Sequence, residues 1–149
     1  MVKTNLKLTI ELVPASSWNL NLRSFLKPQM WRELRKKTYE RYNFRCAICA
    51  TRGKLQAHEV WEYNDKKHIQ KLKGLISLCN SCHLVKHFGF AGVKASQGKA
   101  DFRKIAKHFM KVNKCDYKTF EKHYTNAFKK FEERSRYDWQ IDIIDFKSI

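Results

Sequence analysis

The chain has 149 residues, of which 43% are hydrophobic and 13% aromatic. This length and composition predict one folded domain over residues 1–149 and exclude a disordered basic tail. The formal net charge of +17 favours a polyanionic partner, and nucleic acid is the commonest polyanion in a cell. No apolar run could span a membrane, and the first residues lack a hydrophobic signal segment. We therefore expect a cytoplasmic protein with no membrane partner.

The N-terminal part of the chain predicts one strand and one helix. Residues 6–12 alternate between apolar and polar side chains, which is typical of a half-buried strand. Residues 29–42 place apolar side chains on one face and basic side chains on the other, which predicts an amphipathic helix. Arg23, together with Arg32 and Lys36 of this helix, is a candidate contact to nucleic-acid phosphates.

Four of the five cysteines form two CxxC pairs, Cys46 with Cys49 and Cys79 with Cys82. Thiolates at positions i and i+3 of a tight turn can face one ion, and a tetrahedral set of four sulfur ligands favours zinc. In a reducing compartment, this pattern indicates metal binding rather than disulfides. We predict a structural zinc ion, and we interpret Cys115 as a small, partly buried residue without a chemical role.

The segment between the cysteine pairs predicts a strand, a loop and a second strand, over residues 55–61, 62–74 and 75–79. The first of these strands carries His58 and Glu59. Both side chains are suited to acid–base chemistry or to metal binding. This segment therefore adds a possible reactive site beside the cysteines.

A helix follows the second pair, with Asn80 or Ser81 as the expected N-cap. It carries His83 and His87, which are four residues apart and so project from the same helical face. Such spacing can hold a second divalent ion. In the competing interpretation, one or both histidines are ordinary surface residues.

The remaining part of the chain predicts helical support. The expected elements are a loop over 89–99, helices over 100–112 and 117–134 with Asp116 capping the second, and a strand over 139–143 that could pair with strand 6–12. Aromatic side chains at helical spacing in both helices are interpreted as core residues. We assign no chemistry to this region.

Residues 44–88 resemble the zinc-bearing HNH, or ββα-metal, endonuclease family, in which a CxxC pair, a strand with a histidine, a hairpin, a CxxCH motif and a helix follow one another. The resemblance implies an α+β fold with a small zinc-bound ββα-metal core. Residues 1–43 and 89–149 would be supporting flanks with helices and a short pair of terminal strands. It also implies DNA hydrolysis by a histidine general base with one divalent ion, Mg²⁺, Mn²⁺ or another, and RNA is not excluded as a substrate.

Carried over by position, the resemblance makes His83 and His87 ligands of the catalytic ion. The first strand of the family usually carries a metal ligand followed directly by the base. If His58 is the base, the ligand position falls on Ala57, which cannot coordinate. If His58 is the ligand, Glu59 stands at the base position. The central asparagine of the family falls near Gly74, which is a second departure.

Two further hypotheses are compatible with these residues. The chain could be a non-catalytic zinc-finger protein that binds nucleic acid through its basic surface. It could also be a basic structural subunit of a larger nucleoprotein, with histidines that have no chemical role. The leading hypothesis is a metal-dependent DNA endonuclease in which His58 acts as the base and Glu59 orients the site.

Overall fold

The structure, a computed structural model, describes residues 4–18, 20–88 and 101–143. In these ranges the elements are α1 (Leu22–Phe25), α2 (Pro28–Arg41), β1 (Leu55–Asn64), β2 (Ile69–Cys79), α3 (Asn80–Lys86), α4 (Phe102–Asn113), α5 (Tyr117–Arg134) and β3 (Gln140–Asp142), with one 3-10 turn at Ala15–Ser17. The expected mixed α+β class is confirmed. The loop predicted over 89–99 lies outside the described residues, as does residue 100 of the helix predicted over 100–112.

A long β-hairpin leads directly into helix α3. Strands β1 and β2 pair in antiparallel fashion from Leu55 opposite Cys79 to Asn64 opposite Ile69. The prediction of a polar loop over 62–74 is wrong, because the connection is a tight turn in which Asn64 Oδ1 accepts the Lys67 N–H at 2.9 Å. The charged side chains of 62–74 favoured a loop in the sequence, but residues 69–74 belong to β2, and its side chains Gln70 and Leu72 are buried.

The hairpin contains one irregularity, next to Gly74. Val60 pairs with Gly74 and Trp61 pairs with Leu72, so that Lys73 is an extra residue on β2. Gly74 has φ of +155°, a backbone conformation that side chains with a Cβ rarely adopt. Gly74, near which the resemblance expects an asparagine, therefore forms part of a β-bulge.

The hairpin separates two apolar cores. On one face, Leu72 and Leu75 pack with Leu22 of α1, and Trp31 and Leu34 of α2 pack against them. On the other face lies the larger core, which brings together the N-terminal segment, the first cysteine turn, α3, α4 and α5; its buried members include Leu8, Ile10, Leu78, Val85, Phe88, Phe109 and Phe120. Because side chains alternate along a strand, the neighbouring β2 residues Leu75 and Ile76 enter different cores.

The strand predicted over 6–12 is wrong, and so is its pairing with the terminal strand. Residues 6–12 have no sheet partner among the described residues. Strand β3 instead lies parallel to β2, from Gln140 opposite Ile69 to Asp142 opposite Lys71. The alternating pattern of 6–12 correctly indicated that Leu8 and Ile10 are buried, but it could not indicate what their backbone groups contact.

The predicted helices over 29–42 and 117–134 are confirmed within a residue or two. The helix predicted over 100–112 is also present, as α4. Asp116 caps α5 as expected, since its Oδ1 accepts the Thr119 N–H at 2.9 Å. The predicted cap of α3 is wrong: the N-cap is Cys79, whose Sγ accepts the Cys82 N–H at 3.4 Å.

Candidate metal centres

The first CxxC pair lies on a tight turn between α2 and β1. The Cys46 N–H donates to the Thr51 carbonyl at 3.0 Å, and the Ala50 N–H donates back to the Cys46 carbonyl at 2.9 Å. Ala50 has φ of +63°, which lets the chain reverse within four residues. The Ala47 N–H also donates to the Ser77 carbonyl at 2.8 Å, which fixes the turn to strand β2.

The second pair spans the junction of β2 and α3, where Cys79 ends the strand and Cys82 lies in the first turn of the helix. The junction and the first turn bring the Sγ atoms of Cys46, Cys49, Cys79 and Cys82 within 4.8 Å of one another. Cys49 Sγ and Cys79 Sγ are 3.6 Å apart. Two sulfurs bound to one tetrahedral zinc ion at about 2.3 Å are separated by about 3.8 Å. The cluster is therefore compatible with a zinc ion.

The surroundings of Cys46 favour a thiolate. A hydrogen bond from the Cys82 thiol lowers the pKa of Cys46, and hydrogen bonds from the backbone of Cys49, Cys79 and Ile48 act in the same direction. Burial acts against them. Because a metal ligand must be the thiolate, backbone donors around the sulfur are what a cysteine metal site requires.

His108 of α4 is a neighbour of this cluster that sequence reasoning missed. Its Nε2 lies 3.2 Å from Cys82 Sγ. A ring N–H directed at a ligand sulfur orients that sulfur and stabilises its negative charge. Its position within an amphipathic helix, 26 residues from Cys82, gave no signal of this contact.

The second cluster contains the three predicted histidines. His58 lies on β1, His83 lies within α3, and His87 is the C-cap of α3. One ring nitrogen from each lies within 4.8 Å of the other two. His58 Nδ1 is 3.1 Å from His87 Nε2, and His58 is only 5% exposed.

The imidazole of His87 is held in its neutral form, as a metal ligand must be. Burial, and then the neighbouring rings of His58 and His83, lower the pKa of His87 to about 3. Two imidazole nitrogens bound to one ion at 2.0–2.1 Å are about 2.9–3.4 Å apart in octahedral or tetrahedral geometry. The separation of 3.1 Å between His58 and His87 falls within this range, so the residues fit a divalent ion.

Glu59 faces away from the histidines. The pairing of β1 with β2 is regular from Leu55 to Val60, so Ala57 and Glu59 both point to the side opposite His58. There, Glu59 Oε1 accepts the Leu22 N–H at 2.7 Å, and burial raises the pKa of Glu59. The structure thus gives Glu59 a contact to α1 and does not bring it to the histidine cluster.

Glu11 of the N-terminal segment reaches the histidine cluster, and sequence reasoning missed it. Its Oε2 lies 3.7 Å from His58 Nε2, and its Oε1 accepts a hydrogen bond from Lys86 Nζ at 2.7 Å. Glu11 was one of several polar residues in an alternating segment. Because it is 47 positions from His58 along the chain, no local pattern could have connected them.

The remaining predicted site residues lie at the surface. Arg23, Arg32 and Lys36 are all exposed on α1 and α2, which suits contacts to a phosphate backbone but assigns none. Cys115 is partly buried against the larger core.

Within the described ranges, no helix combines the length and the apolar character needed to cross a membrane.

Comparison of the chain with protein-family models, curated proteins and solved structures finds no match. Its function is therefore inferred from the geometry of the two clusters.

Proposed function

We propose that the protein is a metal-dependent endonuclease of the HNH type, which hydrolyses phosphodiester bonds in DNA. The observation that carries the proposal is the convergence of His58, His83 and His87 beside a four-cysteine cluster. The histidines come from the first strand of a hairpin and from the helix that follows it, in the order strand, strand, helix. This order and these ligands are those expected of a ββα-metal core.

In this proposal His83 and His87 hold a divalent ion such as Mg²⁺ or Mn²⁺. When bound, such an ion offsets the negative charge that develops on the phosphate and on the leaving oxygen. The distance of 3.1 Å between His58 Nδ1 and His87 Nε2 favours His58 as a third ligand. The competing assignment, in which His58 accepts a proton from the attacking water, requires its Nδ1 to face that water instead.

The cysteine cluster would supply structure rather than chemistry. Cys79 and Cys82 flank the junction from which α3 starts, so a zinc ion there would fix the helix that carries His83 and His87. The net charge of +17 would draw the protein to a nucleic-acid backbone. Exposed basic residues on α1 and α2, among them Arg23, Arg32 and Lys36, are the proposed phosphate contacts.

The test is nicking of supercoiled plasmid by zinc-loaded protein, with Mg²⁺ or Mn²⁺ added and with a chelator as the metal-free control. His58→Ala is expected to reduce the rate by about 100-fold or more, which is the usual loss when a group acting on the reaction is removed. His68→Asn is the matched control, since His68 lies in the hairpin turn with φ of +53°, which asparagine tolerates. The control is expected to cut like the wild type.

Nicking that persists at the wild-type rate in His58→Ala, with zinc content and folding intact, would overturn the endonuclease proposal. An RNA substrate in parallel reactions distinguishes the two nucleic acids. Preference for RNA would keep the metal-dependent chemistry and change the substrate.

One observation favours a second candidate, a non-catalytic zinc-finger protein that binds nucleic acid. With Glu59 turned toward Leu22, the adjacent base position of the first strand offers no acid–base group to the histidine cluster. This candidate predicts salt-sensitive DNA binding with no divalent-ion-dependent cleavage. Substituting Arg32 or Lys36 by alanine should then lower the slope of log K against log salt by about 1 each.

A further inference from the structure

One buried nitrogen of the histidine cluster has no hydrogen-bond partner among the residues that the structure describes. This atom is His58 Nε2, on the side of the ring opposite His87. A buried polar atom without a partner costs about 1–3 kcal/mol, and such atoms are rare in folded proteins. Glu11 Oε2 lies 3.7 Å away, slightly beyond hydrogen-bond distance.

Lys86 holds the Glu11 carboxylate in this position. Lys86 is only 5% exposed, and its ammonium donates to Glu11 Oε1 at 2.7 Å and to Thr9 Oγ1 at 3.0 Å. The Glu11 N–H also donates to the Lys86 carbonyl at 3.1 Å. Lys86 directly precedes His87, so the same turn of α3 holds both a candidate ligand and the partner of Glu11.

The backbone of the N-terminal segment is fixed by side chains of α4 and α5. Asn113 Oδ1 accepts the N–H groups of Lys7 and Leu8 at 2.8 and 2.9 Å, and its Nδ2 donates to the Leu8 carbonyl at 2.8 Å. His123 Nε2 accepts the Ile10 N–H at 2.8 Å. These hydrogen bonds fix the backbone of the N-terminal segment, and the carboxylate of Glu11 is thereby held beside His58.

We propose that Glu11 is a positioning residue for the metal ion of the histidine cluster: its carboxylate accepts the Nε2–H of His58, which leaves the Nδ1 lone pair directed at the ion. This inference rests on the proposed function, because it takes His58, His83 and His87 as the ligand set. A histidine that binds a metal through one nitrogen usually donates its other N–H to a carboxylate, carbonyl or water, which fixes the tautomer and the ring orientation. A shift of less than 1 Å brings Glu11 Oε2 into hydrogen-bond distance of His58 Nε2.

Two further features support this role. The Lys86 ammonium lies 2.7 Å from Glu11 Oε1, so an ion pair holds the carboxylate in its acceptor form beside His58. Glu11 also lies behind the ring of His58 and is not a member of the group of converging ligand atoms. It is therefore placed to orient a ligand rather than to serve as one.

The test measures Co²⁺ binding to zinc-loaded, full-length protein by calorimetry and by the visible absorption of the bound ion. Glu11→Ala is expected to weaken Co²⁺ binding by about 10–100-fold, the usual effect of removing such a partner. Glu11→Gln keeps a side-chain oxygen that can accept the Nε2–H and should recover part of the loss. Glu40→Ala, which removes an exposed carboxylate paired with Lys36 on α2, is the control and should bind Co²⁺ like the wild type.

Nitrogen-15 NMR of the imidazoles provides a second measurement. In the wild type loaded with diamagnetic Zn²⁺ at both clusters, the proton of His58 is expected on Nε2. In Glu11→Ala the Nε2 signal should lose its strong hydrogen-bond shift, whereas a purely structural role for Glu11 would leave it unchanged.

Unchanged Co²⁺ affinity in folded Glu11→Ala, or a His58 proton on Nδ1, would overturn the inference. If the wild type binds no Co²⁺ at the histidines, both this inference and the proposed catalytic ion fall. The two failures can be distinguished. If Glu11→Ala weakens Co²⁺ binding but the wild type does not nick plasmid, only the endonuclease proposal is wrong. If the wild type nicks plasmid and Glu11→Ala binds Co²⁺ normally, only the positioning role of Glu11 is wrong.

Discussion

The cysteine cluster and the histidine cluster adjoin the same short helix, but they are assembled differently. The cysteine ligands come from two local turns, each with ligands at i and i+3 and with backbone N–H groups directed at the sulfurs. The histidine cluster needs a strand and a helix. The carboxylate of Glu11 beside it comes from a third segment, fixed by α4 and α5.

The difference teaches that the two candidate metal sites depend on different parts of the chain. A closed set of four sulfurs stabilises the fold directly, since its binding free energy adds to folding. The proposed catalytic site has only three histidine ligands, because it has to leave room for substrate, so its geometry depends more on neighbouring segments. The flanks of the hairpin supply such contacts to the histidine cluster.

The largest expected effect comes from breaking the cysteine cluster. Cys82→Ser should abolish zinc binding and unfold the hairpin–helix core, because the metal contributes about 10 kcal/mol or more in small zinc modules. Zinc content by mass spectrometry and the circular dichroism melting curve measure the two effects. Cys115→Ser, which alters a cysteine outside the cluster, should retain zinc and a cooperative transition.

If Cys82→Ser kept a wild-type melting curve, zinc would not be structural, and the contrast between the clusters would disappear.

The next effect is expected at the histidine cluster. His87→Ala should abolish Co²⁺ binding there and reduce plasmid nicking by about 100-fold or more. It should keep its structural zinc and melt within a few degrees of the wild type, because no cysteine ligand is touched. Binding stoichiometry and melting temperature, measured on the same preparation, check both statements. Loss of the structural zinc in His87→Ala would show that the clusters are not separable.

Removing the anchor of the N-terminal segment should have a smaller effect. Asn113 is only 2% exposed, and it makes three hydrogen bonds to the backbone of Lys7 and Leu8. Asn113→Ala should therefore lower the free energy of unfolding by about 3 kcal/mol, which chemical denaturation measures. It should also weaken Co²⁺ binding without altering any histidine, because the backbone before Glu11 is no longer fixed and its carboxylate is no longer held beside His58. Normal Co²⁺ binding in a folded Asn113→Ala would contradict this coupling.

The sequence predicted the cysteine cluster and the convergence of the histidines because their ligands are local or share one helical face. Cys46 and Cys49 lie on one turn, and His83 and His87 are one helical turn apart, so spacing alone encodes their geometry. It did not predict Glu11 at the cluster or the orientation of Glu59. Which face of β1 meets α3 depends on two cores that form only in the folded chain.

The segment 6–12 shows the same limit. Its apolar alternation predicted burial correctly, but its backbone groups bond to side chains more than 100 positions away, on Asn113 and His123. A sheet partner and a side-chain partner produce the same pattern in the sequence, because both leave alternate residues facing a core. The predicted strand pair was wrong for this reason.

The smallest expected effect concerns pH and acts only on the support of the histidine cluster. Burial, and then the Lys86 ammonium, lower the pKa of His123, whereas Glu11 acts to raise it. The neutral ring accepts the Ile10 N–H, and a protonated ring cannot. Because the folded pKa lies below the unfolded value of about 6.5, this stabilisation is complete above pH 6.5 and is lost as pH falls below it.

Glutamine at this position can accept the same N–H without titrating between pH 5 and 8. When the pH is lowered from 7.5 to 5, the free energy of unfolding should therefore fall by about 1 kcal/mol more in the wild type than in His123→Gln. This difference is the size of one hydrogen bond. Urea denaturation at the two pH values measures the difference. Acid loss of metal affects both proteins alike and cancels in the comparison. An identical pH dependence in the two proteins would show that His123 does not anchor the segment through its neutral ring.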